Sequence, residues 1–221
     1  MHLSRSSLNA QNIETENKII ITTQLYSDSL EDYIESLSKQ KMTRRNQLSD
    51  DDKNTNLRIA EQLLDVLSYI HQNNIVHRDI KPANIFTERD ETGKINVRVG
   101  DFGLHTKGNW TINTGGGTPY YMSPEALESK FSRPSMDVWA MGVTLVELFY
   151  PFDSEMVLED LQSSCTVMKR KPHDPQASVN VDSQIQALLC GMLDPSPRRR
   201  ITAPQALQAI RAIRQSQHPR P

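Results

Sequence analysis

The stretch IVHRDIKPANIF, residues 75–86, decides how this chain is read. Asp79 stands ahead of Asn84, with Lys81 between them, and an apolar pair flanks the set on each side: Ile75 and Val76 before, Ile85 and Phe86 after. Such a loop holds an acid, a cation and an amide between two buried anchors. Asp79 suits a general base that takes a hydroxyl proton. Asn84 can offer its amide oxygen, and Asp101 in GDFG (100–103) its carboxylate, to a hard divalent ion. Mg²⁺ uses oxygen ligands of this kind and shares them with phosphate. Lys81 can neutralise charge on a phosphoryl group in transfer. Each residue taken singly also has a plainer reading: Asp79 and Asn84 are turn formers, and Asp101-Phe102-Gly103 can be a turn after a strand.

Composition bounds the setting. The 221 residues are enough for one good-sized domain. A net charge of −2 gives no overall reason to expect nucleic-acid or membrane binding. The acidic run Asp50–Asp52 and the basic run Arg198–Arg200 read as solvated loops or helix ends. Cys165 and Cys190 lie far apart and outside any CxxC pattern, as ordinary thiols in a reducing compartment do. The first residues, MHLSRSSLNAQNIETEN, lack the apolar core of a signal peptide. The most apolar stretch, VWAMGVTLVELFY, is too short to span a membrane and contains Glu147. A cytoplasmic protein with no membrane partner is expected.

Along the chain, residues 1–17 are polar and predict a loop or tail, and KIIITTQLY (18–26) predicts a buried strand. SLEDYIESLSKQ (29–40) predicts a short helix, and residues 42–54 a charged loop. From Asn56, Ile59, Leu63, Leu67 and Ile70 recur at helical spacing up to an asparagine-rich stop at HQNN. IFTERDETGKINVRVGDFG (85–103) predicts a hairpin turning at Asp90 to Gly93, followed by a long loop from Leu104 to Pro124. MDVWAMGVTLVELFY, DSEMVLEDLQ, VDSQIQALLCGML and TAPQALQAIRAIRQ predict four more helices, with Pro204 tolerated in the first turn of the last. The fold class is α+β, mainly α, and not a doubly wound sheet.

H-R-D-x-x-x-x-N, a hairpin, D-F-G, a loop ending S-P-E, and D-x-W-x-x-G on an apolar helix follow one another in this order. That series resembles the signature of eukaryotic protein kinases. The resemblance covers a C-terminal lobe with its hinge strand, residues 18–214, with 215–221 as a tail and 1–17 as a polar tail or the end of an insert. It implies a Ser/Thr kinase using ATP and Mg²⁺ on a protein substrate. Asp79 resembles the catalytic base. Lys81 resembles the lysine of Ser/Thr enzymes, and Thr118 the threonine that bonds both. Asn84 and Asp101 resemble the Mg²⁺ ligands. Thr23 falls at the gatekeeper position, and Gln24, Leu25 and Tyr26 at the hinge that contacts adenine. His77 is expected to pack in the core, and Phe102 under the site. Arg78 resembles the arginine that holds a phosphorylated activation loop, with Thr111 or Thr114 as the switch. Ser123-Pro124-Glu125 replaces the commoner Ala-Pro-Glu. Glu125 is expected to pair with Arg200, and Asp137 to anchor the catalytic-loop backbone.

GTPYYMSPE (117–125), ELFYPF (147–152), VGDFGL (99–104) and DPSPRRRIT (194–202) are similar, more narrowly, to kinases of the α subunit of eukaryotic translation initiation factor 2. That likeness implies docking of the factor on the helix at 153–162 and no direct nucleic-acid binding. The signature also calls for a G-x-G-x-x-G loop, a V-A-I-K lysine and a helix αC glutamate ahead of the hinge; none is present, and Gly115–Gly117 lie in the activation loop. The expectation is a largely missing N-terminal lobe, an unpaired strand at 18–26 and weak ATP binding. The alternative is a catalytically incompetent lobe that acts as a binding module.

Overall fold

The computed structural model describes residues 13–15, 18–20, 26, 28–40, 48–102, 106–107, 111–112, 118–128, 131–159 and 181–217. Its core is helical. Helix α2, Asp50–Gln72, packs along α7, Ala203–Gln217, and against α4, Pro134–Phe149, which also meets α6, Val181–Met192. A short helix α1, Leu30–Gln40, precedes them; α3, Pro124–Glu128, and α5, residues 154–159, lie between.

α2 begins where local chemistry tells it to. Ser49 Oγ accepts the Asp52 N–H, and the Asp52 carboxylate accepts the Ser49 N–H, both at 3.1 Å. This reciprocal capping satisfies two N-terminal donors, and Asp50–Asp52 favour the positive end of the helix dipole. The loop expected over 42–54 is therefore corrected at its end: its acidic run is the first turn of α2. Leu57, Leu63, Leu64 and Leu67 then bury one face. The helix stops at Asn73, followed by Asn74 in the left-handed region at φ 57°.

α4 is apolar on all sides, and from Asp137 to Phe149 every residue except Glu147 is buried. A helix of this kind belongs inside a core. Asn56 of α2 ties it in place: Nδ2 donates to the Leu148 carbonyl at 2.8 Å, and Oδ1 accepts from Tyr33 of α1 at 2.9 Å.

Among the described residues, four small antiparallel sheets decorate this core. β5, Ile85–Arg89, pairs with β6, Ile95–Val99, and with β3, Asp28–Ser29. The β5–β6 turn closes on Asp90, whose Oδ1 accepts from Thr92 N–H, Thr92 Oγ1 and Lys94 N–H, while Gly93 takes φ 78°. Gln62 of α2 clamps β6 to the core through the Ile95 carbonyl and the Val97 N–H. β1, Ile13–Thr15, pairs with β2, Lys18–Ile20. This corrects two expectations, since residues 1–17 hold a strand and β2 has a strand partner. β4, Ile75–Val76, pairs with β7, Thr106–Lys107, and β8, Thr111–Ile112, with β9, Phe131–Ser132. The segment expected as plain loop after Leu104 thus contributes two ladder strands.

Replacing Asn56 by alanine should strand a half-buried phenol and a buried helix-end carbonyl. Unpaired buried groups of this kind cost about 1–3 kcal/mol. Urea unfolding of Asn56→Ala should show a loss of that size.

Candidate active site

Asp137, in the first turn of α4 and 1% exposed, is the hub of the site. Its Oδ2 accepts the His77 N–H at 2.8 Å and faces His71 Nε2 at 3.0 Å; its Oδ1 accepts the Arg78 N–H at 2.8 Å. Arg78 sits at φ 77°, a conformation that costs a non-glycine residue about 1–3 kcal/mol and persists only when its surroundings enforce it. The two backbone bonds to Asp137 supply that enforcement. They turn the chain so that Asp79 leaves the core while His77 enters it.

His77 is fully buried. Its Nε2 lies 2.9 Å from the Gly100 carbonyl, which can only accept, so Nε2 carries the proton and Nδ1 receives the Asp79 N–H at 3.3 Å. The Phe102 ring packs on it with centroids 4.6 Å apart. His77 is thus a structural residue, as expected, and it holds the loop carrying Asp79 to the end of β6.

Asp79 collects the polar groups that the sequence grouped. Oδ2 accepts from Lys81 Nζ at 3.0 Å and from Asn84 Nδ2 at 2.9 Å, and Oδ1 accepts from Thr118 Oγ1 at 3.4 Å. Lys81 Nζ also donates to Thr118 Oγ1 at 2.9 Å. Burial works to raise the Asp79 carboxyl, but the hydrogen bonds from Lys81 and Asn84 and the Lys81 charge outweigh it and hold the group below its ordinary value. A carboxylate so held is ionised near neutral pH.

Asn84 ends a short 3₁₀ turn, Pro82–Asn84. Its Nδ2 donates to both the carbonyl and the carboxylate of Asp79, which turns Oδ1 the other way. The Gly100 N–H donates to the Asn84 carbonyl at 2.9 Å, so Asp101, exposed and at φ 54°, follows directly beside it. Gly100 is required here, because a Cβ would fall 2.4 Å from the Phe86 ring. An amide oxygen and a carboxylate suit Mg²⁺, which is bound through one or two carboxylates plus phosphate and not by an all-protein cage. Among the described residues, no group of three or more His, Cys, Asp or Glu is placed so that it could hold a metal ion.

Tyr26 stacks on Phe86 with centroids 5.1 Å apart, and the Arg98 guanidinium lies 6.0 Å from the Tyr26 ring. Thr23, Gln24, Leu25 and Thr114 lie outside the described residues. Thr111 stands in β8 opposite Ser132.

The predicted Glu125–Arg200 pair is formed, with Arg200 Nη1 and Nη2 donating to the two carboxylate oxygens at 2.5 and 2.9 Å. Arg200 also donates to the Asp194 and Ser135 carbonyls and lies 5.0 Å from the Trp139 ring. It joins α3 to the loop before α7 and to the start of α4.

Two contacts escaped the sequence. His71, near the end of α2, reaches Asp137; its place in a polar helix terminus gave no sign of this. Tyr121, a few residues beyond Thr118, donates to Glu147 at 3.2 Å. The signal for the second was Glu147, a carboxylate near the end of a helix that is apolar through most of its length. Burial, against the opposing pull of the Tyr121 hydrogen bond and with the Glu31 charge adding to it, pushes Glu147 up to about 7.

Two outcomes are expected. Glu125→Ala leaves the buried Arg200 guanidinium uncompensated, which costs about 3–5 kcal/mol in denaturant unfolding. Glu147 is protonated in the folded chain where its ordinary value of 4.5 would leave it ionised. The folded state then binds more protons, so this group's contribution to stability falls as pH rises from about 4.5 to about 7. Unfolding of Glu147→Gln, measured across that range, should lack this decline.

The family model for the protein kinase domain matches residues 9–210. Serine/threonine-protein kinase DCLK3 of Mus musculus is 36% identical over 150 residues, which is 66% of this chain and 19% of that protein. SNF1-like protein kinase ssp2 of Schizosaccharomyces pombe is 30% identical over 199 residues, 86% of this chain and 30% of that one. Eukaryotic translation initiation factor 2-alpha kinase 1 of Plasmodium falciparum is 41% identical over 100 residues, 44% of this chain and 6% of that one. The chain therefore spans less than a third of the length of each of these relatives. No helix among the described residues is long and apolar enough to cross a membrane. Ordered motifs, the geometry around Asp79 and the family match agree, and this chain belongs to the protein kinase domain family.

Proposed function

We propose that this protein is a Ser/Thr kinase that moves the γ-phosphoryl group of ATP to a protein hydroxyl. The observation that carries the reading is the Asp79 carboxylate, ionised and bonded at once by Lys81, Asn84 and Thr118. In the transfer, the substrate hydroxyl oxygen forms the new bond to phosphorus, and the bond to the ADP oxygen breaks. Asp79 orients the hydroxyl and takes its proton. Lys81, already close to Asp79 and Thr118, offsets charge on the moving group. Asn84 and Asp101 would hold Mg²⁺, which would supply positive charge against the phosphate oxygens. Gln24, Leu25 and Tyr26 are assigned to the adenine edge, and Arg78 with Thr111 or Thr114 to switching by phosphorylation, through the charge-assisted bonds an arginine makes to a phosphate.

For the substrate we infer the α subunit of eukaryotic translation initiation factor 2. Support comes from GTPYYMSPE, ELFYPF and DPSPRRRIT, and from the 41% identity to a relative whose name carries that activity. A cytoplasmic location goes with that reading. The docking element is α5, whose described part runs over 154–159.

Radiolabelled transfer to the initiation-factor subunit and to a generic basic peptide, in ATP and Mg²⁺, tests both levels. The expected result is transfer that favours the factor and falls by about 10²–10⁴-fold in Asp79→Asn. Equal use of both substrates removes the initiation-factor reading alone. Unchanged turnover in Asp79→Asn removes the catalytic assignment. Protein that binds the factor but transfers to neither substrate is a binding module.

A further inference from the structure

A groove of about 330 Å³ lies where α2, β6 and α7 meet, and it shares no residue with the site around Asp79. Arg58, Glu61 and Asp65 line it from α2, Arg211 and Arg214 from α7, and Asn96 from β6. Gln62 completes the wall and is committed to the fold. Its amide binds the Ile95 carbonyl and the Val97 N–H of β6, and donates to the Arg58 carbonyl.

Most of the charge in the groove holds these elements together. Glu61 accepts from Arg211 and Arg214, and Asp65 accepts from Arg211 at 2.8 Å. Three guanidinium groups thus face two carboxylates, and the two on α7 engage both. Arg58 is left over. It is half-buried, yet among the described residues its guanidinium has no ion pair or hydrogen bond, and neither has the exposed Asn96 side-chain amide.

These two groups select a ligand. A guanidinium and an amide N–H₂ both donate, and a carboxylate accepts from both at once. Three guanidinium groups repel a metal cation. The continuous phosphates of a nucleic acid or an anionic membrane would be opposed by Glu61 and Asp65. Small-molecule pockets are lined mainly by apolar side chains, and none lines this groove among the described residues. A protein segment carrying one acidic side chain fits. Tyr69 favours that occupant, because it stands one turn beyond Asp65 on the same face of α2 and is 63% exposed. Tyrosine and arginine are enriched where proteins bind proteins.

We propose that this groove is a docking site for a segment of a partner protein, which seats one aspartate or glutamate against Arg58 and Asn96. The partner is held without the residues around Asp79, and the inference stands whichever protein is phosphorylated.

A phage-displayed library of random dodecapeptides, panned on the full chain and counter-selected on Arg58→Gln, tests it. The selected peptides should share an acidic residue at one position. Their affinity, measured by calorimetry, should fall roughly 10- to 100-fold in Arg58→Ala, or when that acid is changed to its amide, as loss of charge-assisted bonds requires. It should be unchanged in Asp79→Asn and in Lys39→Ala, which removes an exposed cation of α1. Three results overturn the proposal: no enrichment over the variant, selected peptides without a shared acid, or equal affinity for Arg58→Ala. Loss of binding in Asp79→Asn would place the peptides in the active site, and equal loss in Lys39→Ala would mark general charge attraction; either also overturns it. Since Arg58 makes no side-chain bond within the described fold, Arg58→Ala should melt as the parent does. A clear drop would show the guanidinium already engaged in the fold and would overturn the proposal too.

Discussion

The carboxylate of Asp137 accepts hydrogen bonds from two successive backbone N–H groups, those of His77 and Arg78, and a further contact from His71. Everything at the site depends on this arrangement. Without it nothing would hold Arg78 at positive φ, and the chain between β4 and the Pro82 turn would relax. With it, His77 is locked inward on the Gly100 carbonyl and Asp79 is turned outward toward Lys81, Asn84 and Thr118. The carboxylate can be buried because a backbone N–H meets each of its oxygens. A buried carboxylate lacking those donors would be far too costly to retain.

The second constraint is Arg200. Its guanidinium donates to the Glu125 carboxylate and to two backbone carbonyls, and it lies near the Trp139 ring. Replacing such a pair by apolar groups can be neutral for stability, so its value here is geometric. It sets α3, and with it the segment that starts at Thr118, against α4. Asp137 and Arg200 thus fix the two sides of the site to the same helix. The rigidity of α4, buried along nearly its whole length, is what makes that common reference useful.

Tyr121 and Glu147 add a polar contact to the same junction. Together with the Asn56 bridge to the Leu148 carbonyl, it places paired polar groups at the joints between elements.

The sequence by itself determined the motif order, the helices α1, α2 and α4 to α7, the β5–β6 hairpin and the identity of the residues around Asp79. Those features are local. A run of apolar residues at helical spacing, or an acid and an amide within one short loop, carries its meaning in neighbouring positions. The Glu125–Arg200 pair, though far apart in the chain, was legible through the family pattern. Other features were decided only by tertiary structure. The contact of His71 with Asp137, the protonated Nε2 of His77 and the Tyr121–Glu147 bond join residues from different elements, and their distances are set by how α2, α4 and the substrate-side segment close on one another. The start of α2 at Asp50 and the pairing of β1 with β2 were missed for a different reason. Each is a short-range event in a polar stretch with no apolar period, where a capping box or a three-residue ladder outweighs a weak local preference.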